Sequence, residues 1–146
     1  MTLLLLAACN PGDVSASPAT VDWGEVDFHN ADPDECDEDE GGCDPRTVAI
    51  TNNGTGEATL SASGFDSDHI CVQGFAPGGP IDIGVLGPGA TYNLVLSVCG
   101  YGPGERNQEI SGDLVFSVED ATQESLTVSW TFIPVRNIET DDTASN

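Results

Sequence analysis

Seven side chains in this sequence could carry nucleophilic, redox or soft-metal chemistry: the cysteines at 9, 36, 43, 71 and 99 and the histidines at 29 and 69. With Cys9 set aside, Cys36, Cys43, Cys71 and Cys99 form an even set in a chain too small to build a very large core, which reads as two disulfides. The favoured pairing is Cys36 with Cys43, around Gly41-Gly42, and Cys71 with Cys99, both inside apolar stretches. Closing those loops would contribute about 2.5 and about 3.5 kcal/mol. A zinc site is the competing use, but neither the short nor the long cysteine spacing matches a ribbon or finger, and no histidine falls where a finger would put it. Copper needs two His and a Cys thiolate. His69 and Cys71 would share a strand face, yet His29 would have to reach them from the edge of an acidic segment and Cys71 would have to remain unpaired. Hydrolysis by a serine or cysteine nucleophile needs a base within hydrogen-bond reach, and two isolated histidines without a nucleophile elbow do not supply one. His69 reads as a strand-end residue, and no catalytic residue is assigned.

The carboxylates are the other reactive population. The chain has 25 acidic residues against 3 basic ones, Arg46, Arg106 and Arg136, with no lysine, for a formal charge of −22. A phosphate backbone would be repelled over the whole molecule, so nucleic acid is ruled out as a partner. Between Asp32 and Asp44 eight of thirteen residues are acidic, a density of hard oxygen ligands that attracts Ca²⁺. Asp37 and Asp39 fit positions 1 and 3 of an EF-hand loop and Gly42 fits position 6, but Gly41 offers no ligand at 5 and Val48 stands where the bidentate Glu belongs. The segment therefore reads as a solvated loop closed by a disulfide. Asp37, Asp39, Glu40 and Asp44 are its candidates for weak Ca²⁺ association, the one cofactor considered. A Ca²⁺-dependent adhesion module using residues 32–44 is the alternative function. An extracytoplasmic hydrolase or redox enzyme is the third, and paired carboxylates for sugar hydrolysis would need a cleft and an acid of raised pKa. Trp23 and Trp130 fall in phase with core positions instead. Asn53-Gly54-Thr55 reads as a turn and not as a glycosylation acceptor.

Location is read from the first nine residues. Thr2 to Ala8 is apolar but too short to cross a bilayer as a helix, which takes about 20 residues. Leu6-Ala7-Ala8-Cys9 resembles the lipobox of bacterial lipoproteins, and the resemblance implies cleavage before Cys9 and acylation of that cysteine. Two acyl chains anchor stably where one does not. The expected site is the cell envelope, extracytoplasmic and lipid-anchored, with the membrane as one partner and an unidentified envelope protein or polymer as another.

Such residues need a scaffold, and the hydrophobic pattern supplies strands. Seventeen glycines and nine prolines punctuate short alternating runs, and no window has a 3.6-residue period. Eight strands are predicted: 20–28, 46–52, 57–63, 69–75, 81–85, 92–98, 110–118 and 126–132. In the first, Gly24 breaks the phase between Val21, Trp23 and Val26, as a bulge would. Asn53-Gly54 predicts a hairpin between the second and third. In the seventh, Gly112 interrupts Ile110, Leu114, Phe116 and Val118. Short strands at this spacing predict an all-β, antiparallel immunoglobulin-like sandwich of about seven to eight strands. The predicted organisation is a signal segment over 1–8, a linker over 9–18, the sandwich over 19–136 with an acidic insertion over 30–45, and a polar tail over 137–146.

Three segments carry a family resemblance. Ser17-Pro18-Ala19-Thr20-Val21-Asp22-Trp23-Gly24-Glu25-Val26, Arg46-Thr47-Val48-Ala49-Ile50-Thr51-Asn52-Asn53-Gly54 and Leu86-Gly87-Pro88-Gly89 are similar, in that order, to motifs of bacterial choice-of-anchor D and ASH-type immunoglobulin-like domains. The resemblance spans Ser17 to about Val135. It implies an extracytoplasmic structural or binding module without catalytic residues, and it sets the acidic insertion apart as what this chain adds.

Overall fold

In a computed structural model, which describes residues 11–27, 43–102 and 104–135, the chain forms nine strands in two sheets. They are β1 Val14–Ser17, β2 Thr20–Asp27, β3 Cys43–Asn52, β4 Ala58–Ala62, β5 Ile70–Val72, β6 Ile81–Leu86, β7 Thr91–Val98, β8 Ile110–Glu119 and β9 Ser125–Val135. One sheet has the order β1-β3-β7-β5 and the other β2-β9-β8-β4-β6. The expected all-β sandwich is present, with one strand more than the hydrophobic pattern indicates. The addition is β1, inside what reads as a linker. VSAS is too short and too polar to show alternation, but it pairs antiparallel with β3, from Val14 opposite Asn52 to Ser17 opposite Ala49. After a cis Ser17–Pro18 bond the chain crosses to the other sheet and runs parallel to β9.

Alternation predicts the faces well. Val48 and Ile50 on β3, Leu94, Leu96 and Val98 on β7, Leu114, Phe116 and Val118 on β8 and Val128, Trp130 and Phe132 on β9 are all buried. Burying each of the largest of these contributes about 1.5–3 kcal/mol. Gly24 is a bulge: its φ is +63°, the β2–β9 register shifts between Asp22 and Glu25, and the buried phase passes from Val21 and Trp23 to Val26. The glycine at the break in β8 has a packing reason. Gly112 lies opposite Trp130, and a Cβ there would come within 2.8 Å of the indole Cε2. The missing side chain is the space the indole fills.

The predicted β3–β4 hairpin is not formed. β3 pairs with β1 and β7, whereas β4 pairs with β6 and β8 in the facing sheet. Asn-Gly promotes a tight turn, but both strands bury one face, and in a sandwich that demand is met as well by crossing between sheets as by pairing. The crossing is closed by hydrogen bonds of the Asn52 side chain, described below.

Strand directions give the sandwich two distinct ends. Gly12, the 53–57 turn, the 87–90 turn and the 120–124 turn meet at one. The 63–69 and 99–109 loops, the last residue of β2 and the first of β3 lie at the other. The acidic insertion therefore leaves from, and returns to, the end opposite Gly12.

Candidate functional site

At the Gly12 end, Asn52 is a buried polar residue with 0% exposure. Its Oδ1 accepts from the backbone N–H groups of Asp13 and Gly54, both at 3.0 Å, and its Nδ2 donates to the carbonyls of Gly56 at 2.8 Å and Leu86 at 2.9 Å. Flipping the carboxamide would set its oxygen against two carbonyls, so the network defines its orientation. The backbone joins in: Asn52 N donates to Ala90 O, Gly89 N to Asn52 O, Asn53 N to Asp13 O, and Gly56 N to Pro11 O. A Cβ on Gly54 would lie 2.6 Å from Pro11 O and from Asp13 N, so only glycine lets these chains approach. Gly12 N donates to Asp120 O and Thr122 N donates to Gly12 O, at 2.9 Å each. Asn52, Gly54 and the Leu86–Gly89 turn, which carry two of the three motif resemblances, thus build one corner that clasps residues 11–13.

At the opposite end, Asp66, His69 and Glu105 form a charged cluster. Asp66 starts a turn, accepting from Ile70 N at 3.1 Å on its carbonyl and from Asp68 N at 3.1 Å on its carboxylate. His69 is in that turn, one residue ahead of β5. Its Nδ1 is 2.6 Å from Asp66 Oδ2, and its Nε2 is 3.0 Å from both carboxylate oxygens of Glu105. Glu105 also accepts from Gly102 N at 2.5 Å. The ring packs on Trp130 and Phe132 with centroid separations of 5.9 and 6.3 Å. Burial alone would lower the His69 pKa, but the hydrogen bonds to Asp66 and Glu105 and the charge of both carboxylates outweigh it and raise it above the usual value. The hydrogen bond from His69, and then that from Gly102, holds Glu105 below the usual carboxylate range. Both ring nitrogens face carboxylates, so the imidazole has none left to activate a nucleophile. It ties the 66–69 turn to the 99–109 loop, more than the strand-end residue read from sequence. The signal that could have found it is weak, since the partners are 3 and 36 residues away.

Beside this clasp Cys71 and Cys99 are bonded, with a Cα–Cα distance of 5.7 Å, linking β5 to the residue after β7. Cys71 is therefore not a copper thiolate. Cys43 begins β3 opposite Val98. Its proposed partner Cys36 lies outside the described residues, as do Cys9, His29, Asp37, Asp39 and Glu40. Asp44, the fourth Ca²⁺ candidate, is placed: Arg46 donates to its carboxylate through Nε at 3.1 Å and a terminal nitrogen at 2.9 Å. That hydrogen bond holds the Asp44 pKa down despite some burial, and a cation there would have to displace a guanidinium. Asp44 also has φ +54°, and its carbonyl accepts from Trp23 Nε1 at 2.7 Å. The acidic insertion is thus fastened to the sandwich where it returns.

Among the described residues no group of three or more His, Cys, Asp or Glu side chains is arranged to hold a metal ion. A shallow depression on the outer face of the five-stranded sheet is lined by hydroxyls of β4 and β8, including Thr59, Ser61 and Ser117. Asp82 is its single ionisable group, so it holds no acid–base pair.

Among solved structures, the chain is similar to the ASH / PapD-like domain of human CEP192 (PapD-like domain 7), with a TM-score of 0.52 and 10% identity over 87% of this chain and 88% of that one. It also aligns with the periplasmic chaperone SfaE, with a TM-score of 0.49 and 14% identity over 84% of this chain and 57% of that one. Neither a protein-family model nor a curated protein matches the chain. At 10% identity the likeness is one of fold, an immunoglobulin-like β-sandwich like that of the ASH / PapD-like domain.

Proposed function

We propose that this chain is a bacterial envelope lipoprotein of the choice-of-anchor D kind, acylated at Cys9, and that it acts outside the cytoplasm as a structural or binding module without enzymatic activity. The observation that carries the reading is the use the fold makes of its reactive groups. Cys71 and Cys99 are bonded to each other, His69 is held at both ring nitrogens, and Asp44 is held by Arg46. Each serves the scaffold. The lipobox-like Leu6-Ala7-Ala8-Cys9 supports the anchor, and the disulfide suits an oxidising compartment. The partner is an envelope protein or polymer that meets the acidic insertion or the sandwich faces.

Intact mass and detergent partitioning of the native protein test the anchor. The expected product begins at an acylated Cys9 and enters the detergent phase, and Cys9→Ser stays unprocessed or is released. Native protein that keeps Met1 and stays in the aqueous phase would overturn the reading. Covalent capture of neighbours on intact cells then identifies the partner.

A further inference from the structure

The segment after Cys9 resembles a tether in sequence, yet the fold uses it as structure. Pro11 O accepts from Gly56 N, Gly12 is bridged to Ala121 and bonded on both sides to the 120–122 turn, and Asp13 is held by Asn52 and Asn53. A Cβ on Gly12 would lie 2.7 Å from that of Ala58, so the backbone is pressed against the sandwich and not draped over it. From Val14 the chain is β1, covered further by Gln123, whose side chain bonds both the N–H and the carbonyl of Val14. Only Asn10 separates Cys9 from the clasped segment. Two Cα steps span at most about 7 Å.

We infer that Cys9 acylation would seat the sandwich directly on its bilayer without a spacer, the Asn52 corner facing the lipid headgroups and the acidic-insertion end pointing away. This rests on the lipid-anchor reading. The turns beside the anchor, 53–57, 87–90 and 120–124, become the membrane-facing surface. The 66–69 turn, the His69 clasp and both stems of the insertion stand about 30 Å further out, the length of a ten-residue strand such as β8.

What holds the domain upright is the shortness of the leash and not charge. The described cations, Arg46 and Arg106, both lie toward the far end, and the exposed ionisable residues at the corner are Asp13, Glu57, Glu119, Asp120 and Glu124. The corner therefore carries more carboxylate than the four-stranded sheet, whose strands hold only Asp44, paired with Arg46, so charge opposes this seating and the covalent anchor must hold it. With about 7 Å of slack the domain cannot retreat. The partner that this corner fits is a lipid surface held by a covalent anchor, and what is offered to the aqueous side is the acidic insertion.

The test uses full-length acylated protein in phosphatidylcholine vesicles containing a nitroxide-headgroup phosphatidylcholine. A fluorescent non-canonical side chain replaces exposed Thr55, at the corner, or exposed Asp68, at the far end. Thr55 fluorescence is expected to be quenched several-fold more than that at Asp68. Inserting ten Gly/Ser residues between Asn10 and Pro11, a coil of about 17 Å, should largely remove the difference. Equal quenching at the two positions in acylated protein without the insert, or an insert that changes nothing, overturns the seating and leaves the lipoprotein reading intact. A native mass without acyl chains overturns both.

Discussion

Replacing Asn52 with alanine should be among the most damaging single changes to this domain. The substitution strands two backbone N–H donors, of Asp13 and Gly54, and two carbonyls, of Gly56 and Leu86. The Leu86 contact is fully buried, and leaving that carbonyl unpaired costs about 1–2 kcal/mol. The other three contacts are partly buried, so water recovers some of the loss, and each costs about 0.5–1 kcal/mol. Together these give about 3–4 kcal/mol, a large fraction of the roughly 5–15 kcal/mol that holds a domain together. With an unfolding entropy of about 2.1 cal/mol/K per residue over about 110 ordered residues, the melting temperature should fall by about 15 °C. The neighbouring Asn53→Ala is the control. Asn53 is exposed, its side chain bonds Ser15 Oγ at 2.8 Å, and its loss should stay within about 0.5 kcal/mol. Thermal and urea unfolding of both variants at one pH decides between the two readings of the Asn53-Gly54 turn. An ordinary hairpin turn needs Asn53 and leaves Asn52 replaceable. If Asn52→Ala costs under about 1 kcal/mol, or no more than Asn53→Ala, the corner does not hold the sheets together as described.

Gly112→Ala drives a methyl group into Trp130, which is 2% exposed and stacked near Phe132 and His69; overpacking of this kind costs about 1–3 kcal/mol, and an unchanged urea midpoint would refute it. The His69 clasp predicts a stability that is full below about pH 6.5, where the imidazole is protonated in both states. It should decline as pH rises through the raised folded-state pKa; His69→Gln should flatten this decline, and an NMR titration placing His69 at or below 6.5 would refute the clasp. Non-reducing peptide mapping should link Cys71 to Cys99 and Cys36 to Cys43, with the first bond contributing about 3.5 kcal/mol and the second about 2.5; a Cys36–Cys71 peptide would refute the pairing. The acidic insertion should bind Ca²⁺ only weakly, with Kd on the order of 10⁻⁴–10⁻³ M and strong competition from monovalent salt; calorimetry showing micromolar binding that Asp37→Asn with Asp39→Asn abolishes would promote the adhesion reading instead.

Period-2 alternation was enough to predict the fold class, most strands and most of the core, because burial of one strand face is written directly into the order of residues. Leu94, Leu96 and Val98 can be assigned to the interior without knowing what they touch. The bulge at Gly24 was legible for the same reason, since a slip of one residue reverses the phase. The partners across space were not legible. Asn52 sits in an unbroken alternating run and looks like the start of a hairpin turn. Its role depends on bringing residues 11–13, 54–56 and 86–90 to one point, and no local signal encodes that meeting. Gly112 looked like a flaw in β8 until the register set Trp130 opposite it. His69, Asp66 and Glu105 carry no spacing motif, because their geometry comes from two loops brought together by β5 and β7. β1 was hidden because VSAS, at an edge and only four residues long, has too little apolar content to show a period. It is a strand because β3 offers it backbone partners and the Asn52 corner fixes the chain just before it, and those conditions exist only once the sheets have assembled.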